Sequence, residues 1–495
     1  GNTVDFKIVN EKSDSGTVYR SGAHCICCNT PVSFSYIREE GKAGRMKNRM
    51  IAIVGASSKG RIYLEPDDNS IRSANVEKPN NYPDAELAFN PRNFNTPIYG
   101  LTHFSHLFTN RQLIALTTLT ELLTDVSKEI EERASELMQG IKAKEYATAI
   151  KVYLAFAIDR CADFSNAITR WVPTNEKVMN LFGKQAIAMT WDFPEANVLA
   201  NTVGGFEQII NYITQCLLKL PVVSKDGIGI AKQADAQTAR YERTYVISTD
   251  PPYYDNIVYA DLADFFYIWL RQSLKSDFPD LFRTMLVPKV EELVAAPYRF
   301  NGDMGSAHLF FEEGMLRTFE NIRDYSCTNI PVTVYYAYKQ SKEDDNNATS
   351  SSGWETMLTA IVQAGFSITG TWPLRTEQGY RMIGTSANAL ASSIVLVCRK
   401  RPADAPVSTR RDFINTLKRE LKPALQKLQA SNIAPVDLAQ SAIGPGMGVY
   451  SRFSKVLEAD GTPMSVRSAL QIINQELDLY FTEQDGELDR DSRFC

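Results

Sequence analysis

Residues 245–254 read Tyr-Val-Ile-Ser-Thr-Asp-Pro-Pro-Tyr-Tyr, and the Pro-Pro pair limits the fold more than any other stretch of the chain. Neither ring can donate to a sheet ladder, and each fixes φ, so the strand entering the run, with Tyr245-Val246-Ile247 reading as a buried-strand pattern, must stop at Asp250 and turn. The segment 259–270, Tyr-Ala-Asp-Leu-Ala-Asp-Phe-Phe-Tyr-Ile-Trp-Leu, then has helical potential. Strand, loop and helix in that order belong to an α/β fold, where ligands gather at the C-terminal ends of strands. The run brings to that edge the Asp250 carboxylate, the carbonyl before each proline ring and the face of Tyr253. Such acceptors suit an exocyclic amine, and the tyrosine suits the flat ring that carries it. As a bare tetrapeptide the run is also an ordinary turn, since Asp-Pro opens turns and Pro-Pro ends strands. The strand before it and the helix after it favour a site.

This tetrapeptide is the catalytic motif of the amino-group DNA methyltransferases. The stretch from Thr249 to Leu270 resembles, among them, the large adenine-specific DNA methylases with a zinc ribbon, encoded beside prokaryotic anti-phage genes. The similarity covers most of the chain. It takes in Cys25-Ile26-Cys27-Cys28, the run 38–45 (Arg-Glu-Glu-Gly-Lys-Ala-Gly-Arg), Leu107-Phe108-Thr109, Trp191-Asp192-Phe193, and the runs 432–439 and 443–447. The resemblance implies a partial Rossmann-like class I methyltransferase sheet, with a helical insertion and a helical C-terminal appendage. It implies S-adenosylmethionine-dependent methylation of adenine N6 in DNA, on a flipped base, within a restriction-modification or anti-phage defence system.

The same resemblance makes Asp250, Pro251, Pro252 and Tyr253 catalytic. It places Trp191 and Asp192, with Asp250, beside the cofactor; the plainer account of Trp191 is a loop anchor with its neighbouring charges in water. Tyr254, Asp255 and Asn256 follow too closely to avoid the rim of the pocket. Glu377 and Arg381 fall in a hairpin loop on the side where substrate arrives. Cys25 and Cys28 are one knuckle of a structural zinc site, whose second pair the family carries upstream.

One element of that family is missing. No strand ending in an Asp-Pro-Phe-x-Gly-Gly-Gly turn occurs between Gly1 and Asp250. Gly204-Gly205 has no apolar strand before it, and the run 444–448 follows a helical pattern, so both lack the strand–turn–helix context of a cofactor loop. The run 55–60 reads as a hairpin turn. The expectation is therefore the C-terminal part of a longer enzyme, or one subunit of a split one, partnered by an N-terminal portion or by other subunits of a defence system. Cytosine-N4 methylation uses equivalent geometry and stays open. So do a DNA-binding self-recognition module without activity and, last, a helical scaffold for other subunits.

Composition narrows the partners. The formal charge of −5 over 495 residues does not mark a nucleic-acid binder, so DNA contact needs local basic faces. Candidates are Arg45, Lys47 and Arg49, and Arg399, Lys400, Arg401, Arg410 and Arg411. No apolar run reaches membrane-spanning length and no signal peptide opens the chain, so the expected place is the cytoplasm. Eight cysteines in so long a chain do not make a disulfide framework. Cys161, Cys216, Cys327 and Cys398 are expected to be buried packing residues. Cys25 and Cys28 differ, because a C-x-x-C knuckle lets two thiolates reach one tetrahedral metal.

Along the chain, residues 1–75 read as a strand-rich ribbon-like module and 76–240 as a mainly helical insertion or target-recognition region. Residues 241–405 read as the methyltransferase core and 406–495 as the helical appendage. Thr109 to Gln112 has the form of a capping box. Behind it, Leu116, Leu119, Leu123, Val126 and Ile130 share one stripe. A second helix over 142–164 is expected to turn Tyr146, Ile150, Tyr153, Leu154, Ala157 and Cys161 inward. Strands are expected over 330–338, 366–372 and 393–399, and helices over 354–364, 411–430 and 465–484. The polar run 341–353 reads as disordered.

Overall fold

The structure, a computed structural model, describes residues 4, 6–9, 16–138, 140–221, 227–254, 257–336, 352–375, 392–430 and 435–485. The fold is mixed α/β with several small sheets. The chain divides into two compact units, one of residues 1–231 and 259–289, the other of residues 232–258 and 290–495. The segment expected to be disordered, 341–353, lies for the most part outside the described residues.

The first unit opens with a three-stranded antiparallel sheet, β1 (Val18–Tyr19), β2 (Gly22–His24) and β3 (Pro31–Val32). Helix α1 (Phe34–Lys42) follows, then the hairpin β4 (Ile53–Ser57) and β5 (Gly60–Leu64), then the short α2 (Asp68–Ala74). The run 55–60 is thus a hairpin and not a phosphate loop. The next elements are the long helices α3 (Asn110–Leu137) and α4 (Gly140–Phe164), the small hairpin β6 (Arg170–Val172) and β7 (Lys177–Met179), and α5 (Phe206–Lys219). Helix α6 (Tyr259–Leu274) packs on α3 and α4.

The capping box forms in full. Thr109 Oγ1 accepts from Gln112 N–H at 3.3 Å, and Gln112 Oε1 accepts from Thr109 N–H at 2.9 Å. The stripes are met in part: Leu116 and Leu123 in α3, and Ala157 and Cys161 in α4, are buried as expected, and other expected positions are not. In α3 the buried face is Gln112, Leu113, Leu116, Thr117, Thr120 and Leu123, whereas Val126 is exposed. In α4 it is Ala143, Ala147, Lys151, Ala155 and Ile158, and Tyr146 is exposed. Small side chains spaced by four let α4 approach its neighbours closely, and the bulky ones are left on the flanks. Lys151 enters this face because its amine meets Asp277 at 2.7 Å. Cys161 and Cys398 are buried as expected, and burial pushes both thiols up to about 12. Cys216 is instead exposed, since α5 buries itself through Ile209 nearer its start.

Four carboxylates are buried among the described residues of these helices, and one of them, Asp163, pairs with Arg160 at 2.6 Å and accepts from Asn180 Nδ2 at 2.9 Å. Asp261 accepts from Asn90 Nδ2 at 3.0 Å, and Asp264 pairs with Lys289 at 2.7 Å while accepting from Val287 N–H at 2.8 Å. Even so, burial holds the Asp264 carboxyl above its ordinary value. Asp159 is harder to accommodate: its Oδ1 is buried with no hydrogen-bond partner, and burial raises its pKa well above the ordinary value. Such a group is neutral in both folded and unfolded chains at low pH. As pH rises past about 4 the unfolded chain ionises freely while the folded one resists, so stability is lost with rising pH. Asp159→Asn is expected to stabilise the protein by about 1–3 kcal/mol at pH 7. In thermal melts across pH that gain should shrink to nothing below about pH 4.

The second unit is built on one four-stranded sheet of order β10-β11-β9-β8. Its strands are β8 (Ser248–Thr249), β9 (Val332–Tyr336), β10 (Phe366–Arg375) and β11 (Ser392–Lys400). β8 runs parallel to β9, and β11 runs antiparallel to both of its neighbours. Around it lie α7 (Met304–Tyr325), α8 (Ser352–Gln363), α9 (Arg410–Gln429), α10 (Pro435–Ser451) and α11 (Val466–Asp485). A parallel pair, β12 (Val407–Thr409) and β13 (Lys455–Leu457), completes the unit.

The C-terminal helices are not an appendage to this sheet but share its core. Phe413, Leu417, Leu421, Met447, Leu470 and Ile473 pack into one cluster with Val334, Ile368 and Leu396. The run 443–447 lies inside α10, which packs on β10. Pro445 has no N–H, so the Ser441 carbonyl one turn back loses its helical donor. Thr371 Oγ1, from β10, donates to that carbonyl at 2.8 Å. To reach it Thr371 sits where a side chain at position 444 would stand: a Cβ there would lie 2.1 Å from its Oγ1. A Cβ at position 446 would lie 2.6 Å from Ile473 Cγ2. Two glycines and a proline thus set how closely this helix rests on the sheet and on α11.

Candidate active site

The expected buried strand before Asp250 is an edge strand. Tyr245 pairs with Ser326 in a parallel bridge, Thr333 N–H donates to the Ile247 carbonyl at 3.1 Å, and Ser248 and Thr249 pair with Thr333 and Val334. Ile247 packs on the core, but Tyr245 is exposed and Val246 is 62% exposed. In a parallel ladder alternate residues face opposite sides. With Ile247 bonded to β9, the backbone groups of Val246 and Ser248 face away from it, on the side where no further strand pairs among the described residues.

This edge delivers Asp250 to the surface. Its carboxylate is exposed, has no cationic partner among the described residues, and accepts from the Tyr253 hydroxyl at 2.9 Å. Pro251 is buried and Pro252 half-buried, which anchors the turn. The Tyr253 ring packs on the core and meets Tyr336 edge-on at 5.2 Å, and Tyr336 in turn stacks on Trp354 at 5.6 Å. The Tyr336 hydroxyl donates to the Gly353 carbonyl at 3.2 Å. One oxygen of Asp250 is therefore held by a hydroxyl whose ring is fixed by two further aromatic side chains.

Tyr254 turns away from this point. Its backbone is left-handed, at φ 30°, and its carbonyl accepts from Ala295 N–H at 2.8 Å. Its ring meets Phe311 edge-on at 5.2 Å, and its hydroxyl lies 3.1 Å from His308 Nδ1. Asp255, Asn256, Glu377 and Arg381 lie outside the described residues.

Trp191 and Asp192 belong to the first unit, not to the unit that carries Asp250. Trp191 meets Tyr99 edge-on at 5.2 Å, and Asp192 is exposed. Nearby, Arg111 clasps Glu195 through two contacts of 2.8 and 2.5 Å. These contacts tie the loop down within its own unit.

The Cys25–Cys28 knuckle is a tight turn. Asn29 N–H donates to the Cys25 carbonyl at 2.8 Å, Cys25 N–H donates to the Thr30 carbonyl at 2.9 Å, and Asn29 takes the left-handed conformation. The Thr30 hydroxyl, 3.1 Å from Cys28 Sγ, and the Thr30 N–H hold the Cys28 thiol below its ordinary value, with Cys25 adding to the effect. His24 Nδ1 instead donates to the Asn29 carbonyl at 3.2 Å. Among the described residues no group of three or more His, Cys, Asp or Glu side chains is arranged for a metal, so two thiols supply half of a tetrahedral set.

Several basic candidates are occupied by internal partners. Arg45 holds Glu40 at 2.6 Å, Arg410 holds Glu458 at 2.8 Å, and Arg401 donates to the Val362 and Ser451 carbonyls. No helix among the described residues is long and apolar enough to cross a membrane.

Tyr336 and Trp354 did not stand out in the sequence. The signal for Tyr336 is its register: Thr249 lies opposite Val334, so Tyr336 falls level with Pro251. That becomes legible only once the pairing of β8 with β9 is known. Comparison with protein-family models, curated proteins and solved structures found no match to this chain.

Proposed function

We propose that this chain is the target-amine half of an S-adenosylmethionine-dependent DNA methyltransferase acting on adenine N6. The observation that carries the reading is the exposed Asp250 carboxylate at the C-terminal end of a parallel strand, steadied on one oxygen by Tyr253. The sheet order adds support, because β10 and β11 form an antiparallel hairpin at one end of it, and such a hairpin closes a methyltransferase sheet.

The amine chemistry follows from these groups. The adenine amino lone pair is delocalised into the ring and is a poor nucleophile. Hydrogen bonds from its two hydrogens to Asp250 and to the Pro251 carbonyl draw it toward tetrahedral geometry. Asp250 then balances the positive charge that grows on nitrogen. Orientation of the amine is its larger contribution, since the methylated ammonium is acidic and sheds its proton readily. Extruding the base from a duplex costs a few kcal/mol. Stacking on Tyr253 offsets about 1–3 kcal/mol of that.

The methyl donor finds no complete site among the described residues. The three Gly-rich runs are a hairpin, the interior of α10 and a turn before α5, and none joins a strand to a helix. A strand bearing such a loop, from another polypeptide or another part of a longer chain, would add along β8, where the backbone groups of Val246 and Ser248 face away from β9. This same shortfall favours a second reading, a DNA-recognition module without activity of its own.

One experiment separates the readings. Incubation with methyl-labelled S-adenosylmethionine and DNA, followed by chromatography of the nucleosides, is expected to give N6-methyladenine when the cofactor-binding portion is supplied. Label appearing only in N4-methylcytosine overturns the adenine assignment. Calorimetry showing no S-adenosylmethionine binding by this chain, with DNA still bound, selects the recognition module for the chain alone.

A further inference from the structure

Directly after the tetrapeptide stands a strained residue with unusually many restraints. Tyr254 has φ 30°, a region in which a side chain is disfavoured unless the surroundings over-determine it. Its carbonyl is held by Ala295 N–H, its ring by Phe311 and its hydroxyl by His308. The contact does not stop at the imidazole. His308 Nε2 lies 3.0 Å from Glu312 Oε1, one turn further along α7. The three groups therefore form a line: phenol, imidazole, carboxylate.

The protons in this line have one consistent arrangement when the imidazole is neutral. A carboxylate only accepts, so Nε2 carries the proton and donates to Glu312, which leaves Nδ1 to accept from the Tyr254 hydroxyl. Glu312 thus selects the tautomer that captures Tyr254. Nothing in the amine chemistry above uses these groups, and each is at least part-exposed or half-buried, too wet for a simple core role.

We propose that Tyr254, His308 and Glu312 form a positioning latch. By holding Tyr254 in its left-handed conformation, the latch fixes the adjoining Asp250–Tyr253 segment, so that carboxylate and ring meet the target amine in register. The proposal deepens the methyltransferase reading and rests on it for the last step only. His308 and Glu312 are positioning residues, acting through Tyr254.

The test reads the latch and the chemistry separately. In the full chain, hydrogen exchange measured by mass spectrometry follows the Ala295 amide, which Tyr254 protects. It also follows the Thr333 amide, which Ile247 protects at the same sheet edge. His308→Ala is expected to speed Ala295 exchange about tenfold and to leave Thr333 unchanged, the effect of losing one modest hydrogen bond. With the cofactor portion supplied, the single-turnover methylation rate should fall by about tenfold or more while the KM for DNA stays within twofold. Glu312→Leu should reproduce both effects, and it stands in for His308→Ala should that variant not fold. Glu312→Gln, which keeps an accepting carbonyl for Nε2–H, should restore both.

Unchanged Ala295 exchange overturns the latch. Equal loss of protection at Ala295 and Thr333 also overturns it, since that is general loosening. Faster exchange at Ala295 with an undiminished methylation rate overturns the positioning role. A wild-type protein that methylates no DNA sinks the methyltransferase reading instead, and the two exchange rates still decide the latch.

Discussion

Asp250→Ala is expected to lower methyl transfer by about a hundred- to a thousandfold, the range seen when one preorganised partner of a developing charge is removed. The physical ground is that Asp250 offers the only charged acceptor the tetrapeptide brings to the target amine, with the Pro251 carbonyl accepting the second hydrogen. Thermal stability should hardly move, because the carboxylate is exposed and its hydrogen-bond partner among the described residues is the Tyr253 hydroxyl. Such surface changes usually stay within about 0.5 kcal/mol. Tyr253→Phe divides the effect further. It keeps the stacking face and the packing on Tyr336 but frees the Asp250 oxygen that the hydroxyl steadies. A smaller loss in rate, with base affinity retained, is the anticipated result in single-turnover assays. Should Asp250→Ala methylate DNA at the wild-type rate, the amine has another partner and the site is misassigned.

The largest structural effect is expected at Gly444. A Cβ there would already lie 2.1 Å from Thr371 Oγ1 and 2.3 Å from its Cγ2, and valine would add two methyls beyond that. Overpacking of this kind costs about 1–3 kcal/mol. It cannot be relieved cheaply by turning Thr371 away, because Thr371 Oγ1 serves the Ser441 carbonyl that Pro445 leaves without a helical donor. Stripping that hydrogen bond adds about 1–3 kcal/mol. Gly444→Val should therefore destabilise the second unit by roughly 3–5 kcal/mol, a fall in midpoint of about 10 °C for a unit of this size. Combining Gly444→Ala with Thr371→Ala makes room for the new methyl. The pair should cost less than the sum of its parts, the mark of two groups competing for one space. A Gly444→Val protein that melts with the wild type would show that α10 does not rest on β10 in this way.

Short-range chemistry was legible along the chain. The Thr109–Gln112 box, the hairpin at 55–60, the stop at Pro251-Pro252 and the strands around β9 to β11 each follow from neighbours a few residues apart. Their energetics are settled locally, by caps, φ preferences and alternation. The helical faces were harder to read. In α4 hydropathy favoured Tyr146 as an inward residue, yet the packed face is a row of alanines with Lys151 among them. Close approach of helices selects small side chains, and a lysine is tolerated there because Asp277 lies over a hundred residues downstream to meet it.

The target-amine end shows the same division. Asp250, the two prolines and Tyr253 announce their chemistry in four consecutive letters. Tyr336, Trp354, His308 and Glu312 come to those letters from separate strands and helices, through strand register and helix packing that no local pattern encodes. Even the burial of residues 245–247 was misjudged, because apolar character tells how a strand packs on one face and says nothing of whether a neighbour lies beside it. Dihedral preferences act between adjacent residues and so can be read in order. Pairing and enclosure depend on segments tens to hundreds of positions away, and those only the folded chain brings together.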